Sequence, residues 1–346
     1  MSYQESEHMK TLFGMLETCR PKGTKSERRF IKQFIIPLGV VSDRAGNLYK
    51  KIGKAPIVWS AHTDTVHERG GSQITAMDGD ELALATVANS NCLGADNGAG
   101  VWLLTEMIKA KKEGLYIFHR GEESGGIGST FISEKTPELV NTYQAAIAFD
   151  RRGKSSIITH QRGGRKCSET FSNSLGKLLG LGHKSDNTGT FTDTANYSDL
   201  IGECTNVSVG FSNEHTEFER LNTKYINMLR ESLLDLDTSK LEFERKPGEK
   251  EPYVARTYGF YDEFDRWEHS NSNYASDGLK GTPWVKPTGK PFLQAKTFDL
   301  TDDYDQMEGQ DLQMLCKKYP DYVADYLESF GITSDELMQH IIQCES

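Results

Sequence analysis

The chain has 346 residues, 36% of them hydrophobic, and 50 acidic against 40 basic side chains give a formal net charge of −10. That length suits one large or two modest domains with a real core, and the negative balance argues against a nucleic-acid surface. The charge is uneven: residues 1–240 and 241–298 are each balanced, so residues 299–346, with 12 acidic and 2 basic side chains, carry the whole excess.

Six cysteines, Cys19, Cys92, Cys167, Cys204, Cys316 and Cys344, lie far apart and form no CxxC pair. The N-terminal MSYQESEHMKTLF is polar and lacks a signal-peptide core. No apolar run approaches the length of a membrane span. These features lead us to expect a cytoplasmic protein with reduced thiols and no membrane partner.

In chain order, residues 5–19 place Met9, Leu12, Phe13 and Leu16 at helical spacing. Ser26 is expected to open a second helix, SERRFIKQFIIPLG, with Glu27, Arg28 and Arg29 on its outer face. DRAGN (43–47) reads as a turn before LYKKIG. IVWSAHTDTV (57–66) reads as a buried strand ending in polar residues. GADNGAGVWLLTEMIKAKKEG (94–114) is a glycine-rich turn running into a helix. LYIFHRGEES (115–124) and QAAIAFDRRG (144–153) are two more apolar runs with acids at their ends. NVSVGFSNEHTEFERLN (206–222) repeats the plan before a helix of the type KYINMLRESLLDL. This rhythm is that of an α/β fold with function at the carboxyl ends of its strands. From 241 the composition changes. Residues 241–298, rich in Pro, Gly, Ser, Asn and aromatics, read as a linker or extended arm. Residues 299–346 read as an acidic helical tail, with Ser334 as an N-cap and Asp335 and Glu336 in the first turn.

Five residues in these motifs, His62, Asp96, Glu123, Asp150 and His215, supply two imidazoles and three carboxylates. Zinc takes such nitrogens and oxygens at about 2.0–2.2 Å, and a pair of ions can polarise a carbonyl and activate a shared water. Two divalent ions are balanced in charge by three carboxylates and a hydroxide, and a partly buried cluster needs that balance. Strand alternation sends Asp64 to the face of His62, where it can fix the imidazole tautomer. Glu122, beside Glu123, is placed to act as a base. Each signal is modest alone, because His-x-Asp, Glu-Glu and a glycine-rich helix start all have ordinary structural uses. The ordered set is specific.

The order of AHTDTV, LGADNGAG, GEESGGIGS, AFDRRG and NEHTEFE resembles the co-catalytic zinc peptidases, the clan of families M28, M42 and M20, over about residues 5–235. The resemblance implies a three-layer α/β/α mixed sheet, here followed by the linker and the small acidic helical extension. It implies that His62 and Asp150 bind one metal and Glu123 and His215 the other. By the same match Asp96 is the bridge, Glu122 the general base, and Asp64 the residue that orients His62. It also implies a cis peptide after Asp96. M20 enzymes insert a lid domain between their last two ligands, and the stretch 151–214 is too short to hold one. The plan therefore resembles the compact M28 type.

The implied activity is metal-dependent hydrolysis of peptide bonds, with zinc the first choice of metal and cobalt or manganese compatible. An aminopeptidase leads, and Asp193 or Asp199 would hold the substrate ammonium. A carboxypeptidase or N-acyl-amino-acid deacylase would need a basic anchor, for which Arg151, Arg152 and Arg165 are available. Tyr197, His160 and Arg165 are candidates to stabilise the oxyanion. A non-catalytic scaffold using its acidic tail to dock a protein partner is the reading of a different class.

Overall fold

The computed structural model describes residues 6–250. The arm beyond 250 and the acidic tail 299–346 lie outside the described residues, as do Cys316 and Cys344. The four described cysteines, Cys19, Cys92, Cys167 and Cys204, are buried free thiols.

Eight strands form the main sheet. In spatial order they are Lys184–Asp186, Ser156–Ile158, Glu203–Ser208, Ala145–Arg151, Ile57–His62, Gly114–His119, Leu48–Ile52 and Val41–Ser42. The four central strands are mutually parallel, so their carboxyl ends share one edge. Flanking pairs are antiparallel or mixed. Three of the four central strands are largely apolar on both faces, as parallel strands covered on both sides usually are, whereas Glu203–Ser208 buries Glu203, Thr205, Asn206 and Ser208. Ile57, Trp59 and Ala61 point into one core with Tyr116, Phe118, Ile147 and Phe149. Val58, Leu115, Ile117 and Ala146 point into the other. Helix Ala95–Lys109 packs on the first face, between helices Glu7–Leu16 and Thr223–Asp235. Helix Ile127–Lys135 and the short turn Asp193–Tyr197 cover the second. The result is the expected three-layer mixed α/β arrangement.

A separate antiparallel sheet joins Phe211–Ser212, Arg220–Asn222, Glu81–Leu84 and Thr75–Asp78. It holds the ends of the 213–219 loop. Between residues 150 and 215 lie helix Glu169–Leu179 and strands of the main sheet, and no lid domain.

The second helix departs from expectation. Thr24, not Ser26, is its N-cap, accepting from the Glu27 N–H, and the α-helical part ends at Phe30. Pro37 lacks an N–H and cannot continue a helix. The chain passes through a wide turn, Ile31–Ile35, and a tight one, Ile36–Leu38, and stops at Gly39 with φ +70°. Glu27 faces inward and is buried. Its carboxylate accepts from the Gly23 N–H at 2.5 Å and the Thr63 hydroxyl at 3.1 Å. Helical spacing identified the helix, but the Arg-rich neighbours disguised which face Glu27 takes.

Past residue 240 the chain stays on the body. Leu241 and Arg245 are buried. Buried Glu203 accepts from the N–H groups of Glu244 and Arg245 at 2.9 and 2.8 Å.

Candidate dimetal site

His62 is the last residue of strand Ile57–His62 and is 1% exposed. Its Nδ1 lies 3.0 Å from the Asp64 carbonyl oxygen, which can only accept. Nδ1 is therefore the donor, and Nε2 turns toward Asp96 Oδ1 at 3.1 Å and Asp150 Oδ1 at 3.3 Å. The strand ends at His62, so alternation does not govern Asp64. Asp64 Oδ1 lies 3.6 Å from His62 Nδ1 and accepts from the N–H groups of Gly121 and Glu122.

Asp96 stands in the turn that opens helix Ala95–Lys109, with a cis peptide to Asn97, as the resemblance implied. Asn97, not Asp96, caps the helix, its Oδ1 accepting from the Gly100 N–H at 2.9 Å. That leaves the Asp96 carboxylate free to face the cup. A Cβ at Gly100 would collide with the Phe149 carbonyl and the Asn97 amide, so this helix can approach strand Ala145–Arg151 only with glycine there. Beneath the turn, Glu219 accepts from the N–H groups of Gly94 and Asp96 at 2.8 and 2.9 Å. Fully buried Arg20 donates to the carbonyls of Thr63 and Gly94 at 2.9 and 3.1 Å. Arg20 thus ties the loop after His62 to the loop before Asp96, and Glu219 braces the Asp96 loop alone.

Glu122 and Glu123 lie on a short 3-10 turn, Glu122–Ser124, between left-handed Gly121 and Gly125. The turn, rather than strand alternation, separates the two side chains. Glu122 Oε2 faces His62 Nε2 at 4.0 Å, whereas Glu123 Oε1 lies 3.0 Å from His215 Nε2. Asp150 is the penultimate residue of its strand; its N–H donates to Asn206 and its Oδ2 accepts from Thr192 at 2.8 Å. His215 is not at a strand end. It sits in the 213–219 loop with φ +64°, half exposed, and its Nε2 is 3.3 Å from Asp96 Oδ2.

All five sequence-derived candidates and Glu122 therefore meet in one cup. The two oxygens of Asp96 face different imidazoles. Donor atoms of His62, Asp96 and Asp150 lie within 4.8 Å of one another, as do those of Asp96, Glu123 and His215, and those of His62, Glu122 and Glu123. A tetrahedral shell with bonds of about 2.0–2.1 Å spaces its donors about 3.3 Å apart, and the 3.1–3.3 Å separations here match. Asp150 Oδ1 is buried without a hydrogen-bond donor. Electrostatics agree. Burial and the neighbouring Asp96 push the Asp150 carboxyl up to about 8. Burial, with Asp150, Asp193 and Glu123 nearby, raises Glu122 well above the usual carboxylate range. Burial would lower His62, yet Asp150, Asp64 and Asp96 carry it well above the usual imidazole range. Hydrogen bonds to Asp96 and Glu123 lift His215 to about 11. The raised Asp150, Glu122, His62 and His215 reflect burial and a crowd of carboxylates, which divalent cations offset. The residues present fit a pair of such ions.

The cup opens into a cavity of about 270 Å³ whose wall also includes Arg151, Arg152, Phe191 and Glu214. Several sequence candidates lie elsewhere. Tyr197 is fully buried, with its hydroxyl 2.5 Å from His119 Nε2. Asp193 is buried, 3.4 Å from His119 Nδ1, and Asp199 is exposed. Neither these nor His160 and Arg165 line the cavity. Glu219, Thr192 and Arg20 were missed. Glu219 stood inside the quoted NEHTEFE stretch, but Arg20, between Cys19 and Pro21, carries no local signal.

No protein-family model matches the sequence, and no curated protein matches it. Solved structures do match in fold. The aminopeptidase PepT of Bacillus cereus is 14% identical, with 66% of this chain and 96% of that one covered at a TM-score of 0.50. A tripeptidase of Staphylococcus aureus is 15% identical at the same coverage and TM-score. The TET1 peptidase of Pyrococcus horikoshii, which can assemble into a tetrahedron or a large octahedral shell, is 16% identical, with 68% and 100% covered and a TM-score of 0.50. The chain thus has the α/β fold found in these peptidases, as its motifs led us to expect.

Proposed function

We propose that the chain is a metal-dependent exopeptidase, acting as an aminopeptidase on short peptides. The observation that carries this reading is Asp96, whose two oxygens each face a separate imidazole, 3.1 Å from His62 and 3.3 Å from His215. His62 and Asp150 would hold one divalent ion, Glu123 and His215 the other, with Asp96 shared. Three protein donors per ion leave a position open, the pattern of catalytic rather than structural sites. When bound, such ions supply Lewis acidity that polarises a carbonyl and acidifies a water. Zinc suits the nitrogen and oxygen donors best, with cobalt or manganese compatible.

The chain's own groups do the rest. The Asp64 carbonyl holds the His62 tautomer, and the Asp64 carboxylate fixes the backbone of Glu122. Glu122 projects into the cup without a direct partner closer than His62 at 4.0 Å. It would accept the proton of the attacking water and return it to the leaving amine. The fold neighbours named as aminopeptidases support the choice of free N-termini. A cytoplasmic setting belongs to this reading and is supported by the free buried thiols. Among the described residues no helix is long and apolar enough to cross a membrane.

The test is a panel of short peptides with added zinc, cobalt or manganese. Glu122→Gln and Glu122→Ala should each lower kcat by at least about a hundredfold, the usual contribution of a positioned base. Equal hydrolysis by wild type and both variants would overturn the mechanism.

A further inference from the structure

We infer that Arg151 is a carboxylate anchor in the proposed peptidase site, so that the preferred substrates are short molecules carrying a carboxylate close to the scissile amide. The inference rests on the peptidase reading and adds a substrate class to it.

Size comes first. At about 270 Å³ the cavity falls just below the range of about 300–1,000 Å³ usual for small-ligand sites. Charge comes second. With two divalent ions bound, the acids already described are offset, so they neither hold nor strongly repel a substrate carboxylate. Two cations interrupt the acids, Arg151 and Arg152, at the end of the strand that carries Asp150.

The two arginines are not equivalent. Arg152 is 60% exposed and already paired with Glu214 at 2.9 Å. Arg151 is 15% exposed and oriented by one nitrogen only, Nη2, which donates to the hydroxyl of Thr188 at 2.9 Å and its carbonyl at 3.4 Å. The nearest carboxylate, Asp186, is 3.8 Å away. It is occupied by Ser156 at one oxygen and by the N–H and hydroxyl of Thr188 at the other. The buried Nε of Arg151 has no hydrogen-bond partner. Arg151 is therefore a positioned guanidinium without the fork-to-fork partner that arginine normally takes when shielded from water. A substrate carboxylate would supply that partner through the terminal nitrogens, since Nε is closed to the cavity. It would also set direction, with the carboxylate toward Arg151 and the amide over the acids.

The carboxylate could be a peptide's C-terminus or an acidic side chain, and the experiment separates them. Zinc-loaded full-length protein carrying Glu122→Gln is titrated calorimetrically with trialanine, with trialanine amide, and with Ala-Ala-Glu amide. Trialanine or the glutamate peptide should bind at least about tenfold tighter than trialanine amide, and whichever does so names the source. Adding Arg151→Gln should bring that ratio close to one, and Arg151→Lys should keep part of it, because lysine retains the charge but not the fork. Equal binding of acid and amide overturns the anchor. So does a ratio that survives Arg151→Gln, or one lost only with Arg152→Gln. Turnover by the wild-type chain is measured separately. Acid preference without turnover removes the peptidase reading and leaves the anchor standing. Equal turnover of acid and amide, with a binding ratio near one, does the reverse.

Discussion

Glu219 spends both carboxylate oxygens on the backbone that presents Asp96. Burial raises it to about 7, against the pull of those two N–H donors. Glutamine has the same shape but one acceptor, and its amide would set donor against donor. Glu219→Gln should weaken metal binding by about 10–100-fold, the usual cost of losing a group that supports a ligand. Competition with a chelator measures this, and unchanged affinity in a folded variant would remove Glu219 from the site. His67 offers a pH test that does not titrate the metal donors themselves. Gln73 donates to the carbonyls of Leu16 and Leu93, so its oxygen accepts from His67 Nε2. His67 Nδ1 then accepts from Thr65, and the ring is neutral. Burial, with Arg20 nearby, lowers His67 to about 4, against about 6.5 unfolded. Between those values the unfolded chain binds more protons, so this share of stability is whole above about 6.5 and is lost as pH falls toward 4. His67→Gln should flatten the fall of the urea midpoint over that window; a parallel fall would contradict the neutral ring.

At the scale of elements, apolar runs located three of the four central strands, because strands buried on both faces favour them, while the largely polar Glu203–Ser208 was caught only from residue 206. The segments beyond the strand ends were less legible. Glu122 and Glu123 occupy a turn set by left-handed Gly121, and His215 sits in a loop held by a separate small sheet. Neither placement has a local periodic signal. Helix Ala95–Lys109 gives the sharpest prediction. Alanine favours helix over glycine by about 1 kcal/mol, but a Cβ at Gly100 meets the backbone of Phe149, which cannot swing away. Overpacking of this kind costs about 1–3 kcal/mol. Gly100→Ala should therefore destabilise the chain in urea despite the better propensity. A stabilised variant would show that the helix and the Asp150 strand have slack between them.

For the whole molecule, the described body continues past the composition shift at 241. Glu203 is buried and accepts from Ser168 through both its N–H and its hydroxyl. It also accepts from the N–H groups of Glu244 and Arg245. A chain ending at 240 loses the last two donors and uncovers a buried carboxylate. It should be less stable than one ending at 250 by about 3 kcal/mol or more, at about 1.5–3 kcal/mol per hydrogen bond to a charged group. Equal urea midpoints for the two truncations would place the true edge at 240.

The sequence by itself determined the kinds of chemistry available. Donor types, their order and the glycines around them are local properties, and they named His62, Asp96, Glu123, Asp150, His215 and Glu122 without coordinates. Only the tertiary structure decided which atoms face one another. It put the two oxygens of Asp96 against different imidazoles, handed the helix cap to Asn97, and turned Glu27 inward. It withdrew Tyr197 and Asp193 from the cavity wall and left Arg151 there. Those outcomes depend on where parallel strand ends, a turn and a distant loop meet, and spacing along one chain does not encode distances between its separate segments.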